Sequence, residues 1–223
     1  MNVILVSVLI FVILLIFIVG YNKYVKNYRE NMIRTFTFPE GIKEKVRKVY
    51  PQLSDEDLQA VMKGLREYFH VINLAGKNKV VAMPSQVIDV AWHEFILFTK
   101  DYANFCKKAL GRFIHHTPAE AMKTQTQAQE GIKRAWRISC YREGINPLSP
   151  TKLPLIFAID SSLAIEGGFT YELNCQKSSE SGQSACSGYC ATHISCSNGC
   201  SGAAGDGGCT GGGGCSGGGC GSS

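Results

Sequence analysis

The sequence predicts a mainly α-helical protein: an N-terminal transmembrane helix, a small helical bundle and a disordered glycine- and cysteine-rich tail. Three observations carry that prediction. Val3 to Val19 is an apolar run broken only by Ser7. From Phe36 to about Gly144 apolar residues recur every three or four positions, the period of an α-helix. After Tyr171 glycine, serine and cysteine dominate, and such a composition offers too little apolar surface to offset the entropy of ordering the backbone. The boundaries drawn are 1–22 for the anchor, 23–40 for a juxtamembrane linker, 41–172 for the helical domain and 173–223 for the tail.

The anchor comes first. About 20 apolar residues in a helix cross the ~30 Å hydrocarbon core of a bilayer. Tyr21, Lys23, Tyr24, Lys26 and Arg29 follow at once, an interfacial mixture of aromatic rings and cations. A secretory signal carries positive charge before its apolar run and small residues at a cleavage site after it. Met1-Asn2 and "FIVGYNKY" offer neither, so the helix is expected to stay attached, contacting lipid through residues 3–20. Lys and Arg gather on its C-terminal flank, which predicts an outside N-terminus and a cytoplasmic body.

Next come the helices of the domain. Gly41–Tyr50 reads as a short helix with Ile42, Val46 and Val49 on one side and Pro51 ending it. Ser54 caps a second helix, with Asp57 three residues on to complement the dipole. Leu58, Val61, Met62, Leu65, Tyr68, Phe69 and Ile72 make its apolar face, Gly76 its stop, and His70 a structural residue near its end. A third helix starts near Ser85, with Ile88, Trp92, Phe95, Thr99, Tyr102, Cys106 and Leu110 in a single stripe. Thr117, Pro118 and Glu120 form the capping start of a fourth, which runs to about Ile138 or Tyr141 and closes at Gly144 and Pro147. Its "IKRAWRI" half reads as more buried than its "KTQTQAQE" half. Leu153–Ser162 is short and apolar, a strand or a buried turn of helix packed on the bundle.

Function is less legible. A net charge of +5 from scattered Lys and Arg lacks the dense basic face of a nucleic-acid binder, so no nucleic-acid partner is expected. "HEFIL" lacks the second histidine of the HExxH zinc helix, and no nucleophile comes with a base and an orienting acid, so no enzyme is assigned. On one continuous helix His93 and Cys106 stand roughly 20 Å apart and about 140° around the axis, too far to share an ion. Asp89 and His93 are four apart on one face, which suits a structural hydrogen bond, a metal or chemical site, or a partner contact. His115 and His116 lie just past the helix end, either packing near the next helix or meeting Cys106 if that end folds back. In the tail, Cys186 and Cys190 then Cys196 and Cys200 form two CxxxC pairs around His193. Four thiolates so spaced can surround zinc or copper(I), or serve thiol redox chemistry, while an unmetallated low-complexity tail fits equally. In a cytosolic body these thiols stay reduced. Two functions follow: a scaffold that docks a protein partner at the membrane, or a metal- or redox-handling protein, with zinc the first candidate ion.

The segment "MPSQVIDVAWHEFILFTKDYANFCKKALGRFIHHTP" resembles the glycine-rich domain-containing proteins, through Ile88, Asp89, Trp92, His93, Tyr102 and Cys106. Plant members of that family often carry Trp-His-x-His, where this chain has Phe95 at the second histidine. The resemblance implies the same architecture of helical domain and Gly/Cys-rich end, and brings no established enzymatic activity with it.

Overall fold

The computed structural model describes residues 3–77, 79–116, 125–173, 189–190 and 194. Helix α1 spans Val3–Thr35, about 50 Å at 1.5 Å per residue. Its first half is long and apolar enough to cross a membrane, and its side chains are bare: Leu9 is 60% and Phe17 70% exposed. Within the juxtamembrane segment 23–40 the helix continues without a break through Thr35. No proline or glycine interrupts the stretch from Tyr21 to Phe38, and the far end gains tertiary support. Ile33 and Phe38 are buried in the core. The Arg66 guanidinium donates to the carbonyls of Ile33 and Phe36, satisfying two acceptors at the helix end, and lies 5.0 Å over the Phe38 ring. Arg142 adds a brace from the other side, pairing with Glu30 at 2.9 Å and with Glu67 at 2.8 Å.

Helix α2 (Gly41–Val49) buries Ile42 and Val46. Val49, expected on that side, points to solvent, and Tyr50 takes the buried position instead. Helix α3 (Asp55–Ala75) begins with the expected capping box: Ser54 accepts from the Asp57 amide and the Asp57 carboxylate accepts from the Ser54 amide. All seven residues assigned to its apolar face are buried. Gly76, at φ +84°, ends it. At Gly64 an added Cβ would lie 2.7 Å from Ile88, so the absent side chain lets α3 approach the next helix closely.

The expected third helix is divided. Helix α4 (Gln86–Leu97) stops at Phe98, helix α5 (Thr99–Phe105) resumes, and Cys106–Leu110 forms a π-helical turn. The bend sets Phe105 4.6 Å from Phe36 and 4.7 Å from Phe69, in an aromatic cluster with Phe38 and Phe95. Thr99, assigned to the buried stripe of a straight helix, is exposed as a result.

Helix α6 covers Gln125–Glu143 and reaches two residues beyond Tyr141 before Gly144 turns the chain at φ +66°. Ala135, Trp136 and Cys140 are fully buried, so the "IKRAWRI" half is the inner one. The capping start assigned to Thr117, Pro118 and Glu120 lies outside the described residues. Leu153–Ser162 resolves as helix α7 (Leu155–Ser162), with Ile156, Phe157 and Ile159 packed on the bundle. A two-residue parallel pairing joins β1 (Tyr171–Glu172) to β2 (Tyr189–Cys190). The architecture is therefore mainly helical, with one apolar N-terminal helix.

Candidate metal centre

Asp160 determines where the site begins. It is buried on α7, yet its carboxylate is fully engaged at the start of α4. Oδ1 accepts from the Ser85 hydroxyl at 2.6 Å and the Val87 amide at 3.2 Å; Oδ2 accepts from the amides of Gln86 at 2.7 Å and Phe169 at 2.9 Å. Ser85 in turn accepts from the Ile88 amide, as an N-cap does. A negative charge at the positive end of α4 is favourable, and the cap fixes the first turn that carries Asp89.

Asp89 and, one turn later, His93 lie on the partly exposed side of α4. The chain leaves the π turn at Gly111, in the left-handed region at φ +67°, and runs back alongside α4 as an irregular strand of residues. Tyr102 latches this return. Its hydroxyl accepts from the Trp92 indole N–H at 3.2 Å and donates to the Ile114 carbonyl at 2.6 Å. Two residues on, His116 settles edge-on against Trp92, with ring centres 4.8 Å apart.

His116 thereby meets Asp89 and His93. His116 Nε2 stands 3.0 Å from Asp89 Oδ1, and His93 Nδ1 stands 3.5 Å from Asp89 Oδ2. The remaining nitrogens, His93 Nε2 and His116 Nδ1, face each other at 3.2 Å. Ligand atoms from all three residues lie within 4.8 Å of one another. One of these two facing nitrogens donates to the other in the neutral pair, and a cation bound between the rings would take the place of that proton. Zinc–nitrogen bonds near 2.1 Å at a tetrahedral angle separate two nitrogens by about 3.4 Å, near the spacing seen. Asp89 then stands as a third ligand, with a carboxylate oxygen within 4.8 Å of a nitrogen of each ring.

The two local pairs expected from sequence are thus regrouped. Asp89 and His93 gain His116, and His115 does not join them: it is exposed and rests on Phe113, ring centres 4.8 Å apart. The helix end does fold back, but Cys106 faces inward, fully buried, against Tyr102 and the backbone of Ile114. Burial pushes its thiol up, away from the reactive thiolate form. Cys186, Cys196 and Cys200 lie outside the described residues, and Cys190 is described only through its backbone pairing with Glu172. Asp160 and the Tyr102 latch are additions that sequence reasoning missed. Asp160 is 74 residues from Gln86. Trp92 and Tyr102 were legible as core residues, not as a hydrogen-bonded pair.

No curated protein and no solved structure matches this chain. The family model that does match is UCP032817-like, over residues 28–194. This overturns the resemblance to glycine-rich domain-containing proteins. Four of the six residues behind that resemblance, Ile88, Trp92, Tyr102 and Cys106, are buried packing positions. Apolar residues at helical spacing recur wherever helices pack, so they specify a buried face more than a lineage. The match begins within α1 and runs through the helical domain, and the chain belongs to the UCP032817-like family.

Proposed function

We propose that this is a membrane-anchored metal-binding protein, in which His93 and His116 supply imidazole nitrogens and Asp89 a carboxylate to a divalent ion. The observation that carries the reading is the convergence of these three side chains, from two separate segments, on one small volume. Imidazole with carboxylate suits zinc among the abundant divalent ions, and coordination positions beyond three remain for water or another ligand. Purified full-length protein, stripped and reloaded, is expected to retain one zinc per chain. His116→Ala and His93→Ala should each abolish retention while the protein stays helical. Wild-type zinc content in both variants would defeat the proposal, and so would retention that disappears only with the tail cysteines.

The membrane helix is proposed to remain attached, with the body in the cytoplasm. Support comes from Lys23, Lys26 and Arg29 on the C-terminal flank and from the burial of Ile33, which makes the end of α1 part of the domain core. A C-terminal GFP fusion should fluoresce, and a C-terminal alkaline phosphatase fusion should be inactive. The opposite pair of results reverses the orientation.

The continuity of α1 with the domain favours one second reading, a scaffold that presents a protein-docking face at fixed height and angle above the bilayer. A flexible Gly-Ser insertion after Lys26 would then reduce crosslinking to the partner in cells without altering zinc content.

A further inference from the structure

Opposite the metal centre, the same return from the π turn brings cations together beside α1. Arg29 lies over Gly111 so closely that a methyl group there would collide with its guanidinium. Arg112, the next residue, donates to the Gly76 carbonyl at 2.7 Å. These two arginines, Lys77 and Asn73 line a small, partly open cleft of about 20 Å³ floored by Ile72 and Leu110. Among the described residues, neither Arg29 nor Lys77 makes an ion pair or a hydrogen bond, and Arg112 pairs with no carboxylate. Glu30, next to Arg29 in sequence, is turned to Arg142 and His70 instead. Partial burial and the charge of Arg29 both work against the charge on Arg112. Two guanidiniums held side by side without a counter-charge repel each other, and a bound anion reverses the sign of that interaction.

The position along α1 bears on the anion. A 30 Å hydrocarbon core takes about 20 residues from Val3, to about Asn22, so Arg29 stands roughly 10 Å beyond it. The headgroup layer adds about 5–8 Å, so the Arg29 backbone stands just outside it, with the layer within reach of the side chain. Tyr24 and Tyr28, both exposed, occupy the intervening turn.

We infer that Arg29, Lys77 and Arg112 form a phosphate-binding site at the membrane surface, fitted to the phosphomonoester of an anionic lipid headgroup. Guanidinium forks match phosphate oxygens in pairs, and the ammonium and the Asn73 amide complete a set of donors around the cleft.

The test uses the full chain in nonionic detergent micelles, with native mass spectrometry counting retained lipid. Phosphatidic acid is expected to stay on the wild-type chain at one per protein, and phosphatidylcholine to dissociate. Arg29→Gln and Lys77→Gln should each weaken phosphatidic acid retention about tenfold. Lys77 is exposed and unbonded, so its substitution leaves the fold intact. The double change of Lys23 and Lys26 to Gln, which lowers charge on the same flank outside the cleft, should leave retention unchanged. Inorganic phosphate is the second arm. If it raises the melting temperature of the wild type but not of Lys77→Gln, and no lipid is retained, the site stands and its ligand is a soluble phosphate. Equal lipid retention in all variants, a loss that follows Lys23 and Lys26, or no response to either probe would overturn the inference.

Discussion

Replacing Tyr102 by Phe separates the support of the metal centre from the stability of the fold. The side chain is 1% exposed, and its hydroxyl accepts from the Trp92 indole N–H while it also donates to the Ile114 carbonyl. Phenylalanine keeps the ring and its packing on Phe95 but leaves both groups unpaired. A buried donor or acceptor without its partner costs about 1–3 kcal/mol. The Ile114 carbonyl lies on a partly exposed segment and can turn to water, so a total of about 2–3 kcal/mol is expected. For a chain of this size that lowers the melting temperature by about 4–12 °C. The freed return lets His116 drift from His93 and Asp89, and loss of such outer support typically weakens metal affinity about 10- to 100-fold. The assay is competitive zinc titration beside thermal denaturation, with Leu65→Ala as reference. Leu65 is fully buried on α3 and touches none of the three ligands by hydrogen bond, so its loss of about 2–5 kcal/mol should spare zinc affinity. Wild-type affinity in Tyr102→Phe, or equal weakening in Leu65→Ala, would refute the idea that the latch positions His116.

Three further outcomes are expected. Asp160→Ala removes the acceptor for one hydroxyl and three amides at once and should unfold the domain near room temperature, whereas Asp160→Asn should retain a cooperative melt lowered by more than 5 °C, since hydrogen bonds to a charged acceptor contribute about 1.5–3 kcal/mol each. Gly111→Ala forces a side chain into the left-handed region at about 1–2 kcal/mol and against Arg29, so it should weaken zinc binding and lipid retention together, read by the same two assays. Burial, and then the charge of Arg142, hold the His70 imidazole below its usual pKa, outweighing Glu30 and Glu67. The unfolded chain therefore binds the extra proton first, and stability contributed by neutral His70 is complete above about pH 6.5 and falls as pH drops below it. The slope of melting temperature against pH between 7.5 and 5 should flatten in His70→Gln; an unchanged slope assigns the acid sensitivity elsewhere.

How much of this was legible in the residues follows from the range of the forces involved. The capping box at Ser54 and Asp57, the seven-residue face of α3 and the stop at Gly76 were all readable, because they depend on neighbours within one or two turns. The break at Phe98 was not. Nothing between Trp92 and Leu110 is a proline or a glycine, and the bend answers to Phe36, Phe38 and Phe69, brought in from elsewhere in the chain. For the same reason the site was half visible. Asp89 and His93 share a helix face and announce themselves by spacing, whereas His116 arrives only because the chain reverses at Gly111 and is tied down by Tyr102. Cys106, read as part of the buried stripe, is indeed buried, though it sits on a π turn that the spacing did not announce.

That reversal links the two proposed sites physically. Gly111 lacks a side chain, which admits the Arg29 guanidinium, and its positive φ sends Arg112 to one side and His116 to the other within five residues. Anything that repositions Arg29 against Gly111, such as a phosphate drawing it toward Lys77 and Arg112, acts on the segment that carries His116. The opposing brace is stiff: Arg142 joins Glu30 on α1 to Glu67 on α3, and Arg66 caps the end of α1, so the helix cannot simply slide to absorb the change. Strain entering at the arginine cleft would then fall on the short irregular return between the two proposed sites. Coupling of this kind is reciprocal, so zinc should tighten phosphate retention by the same factor that phosphate tightens zinc binding.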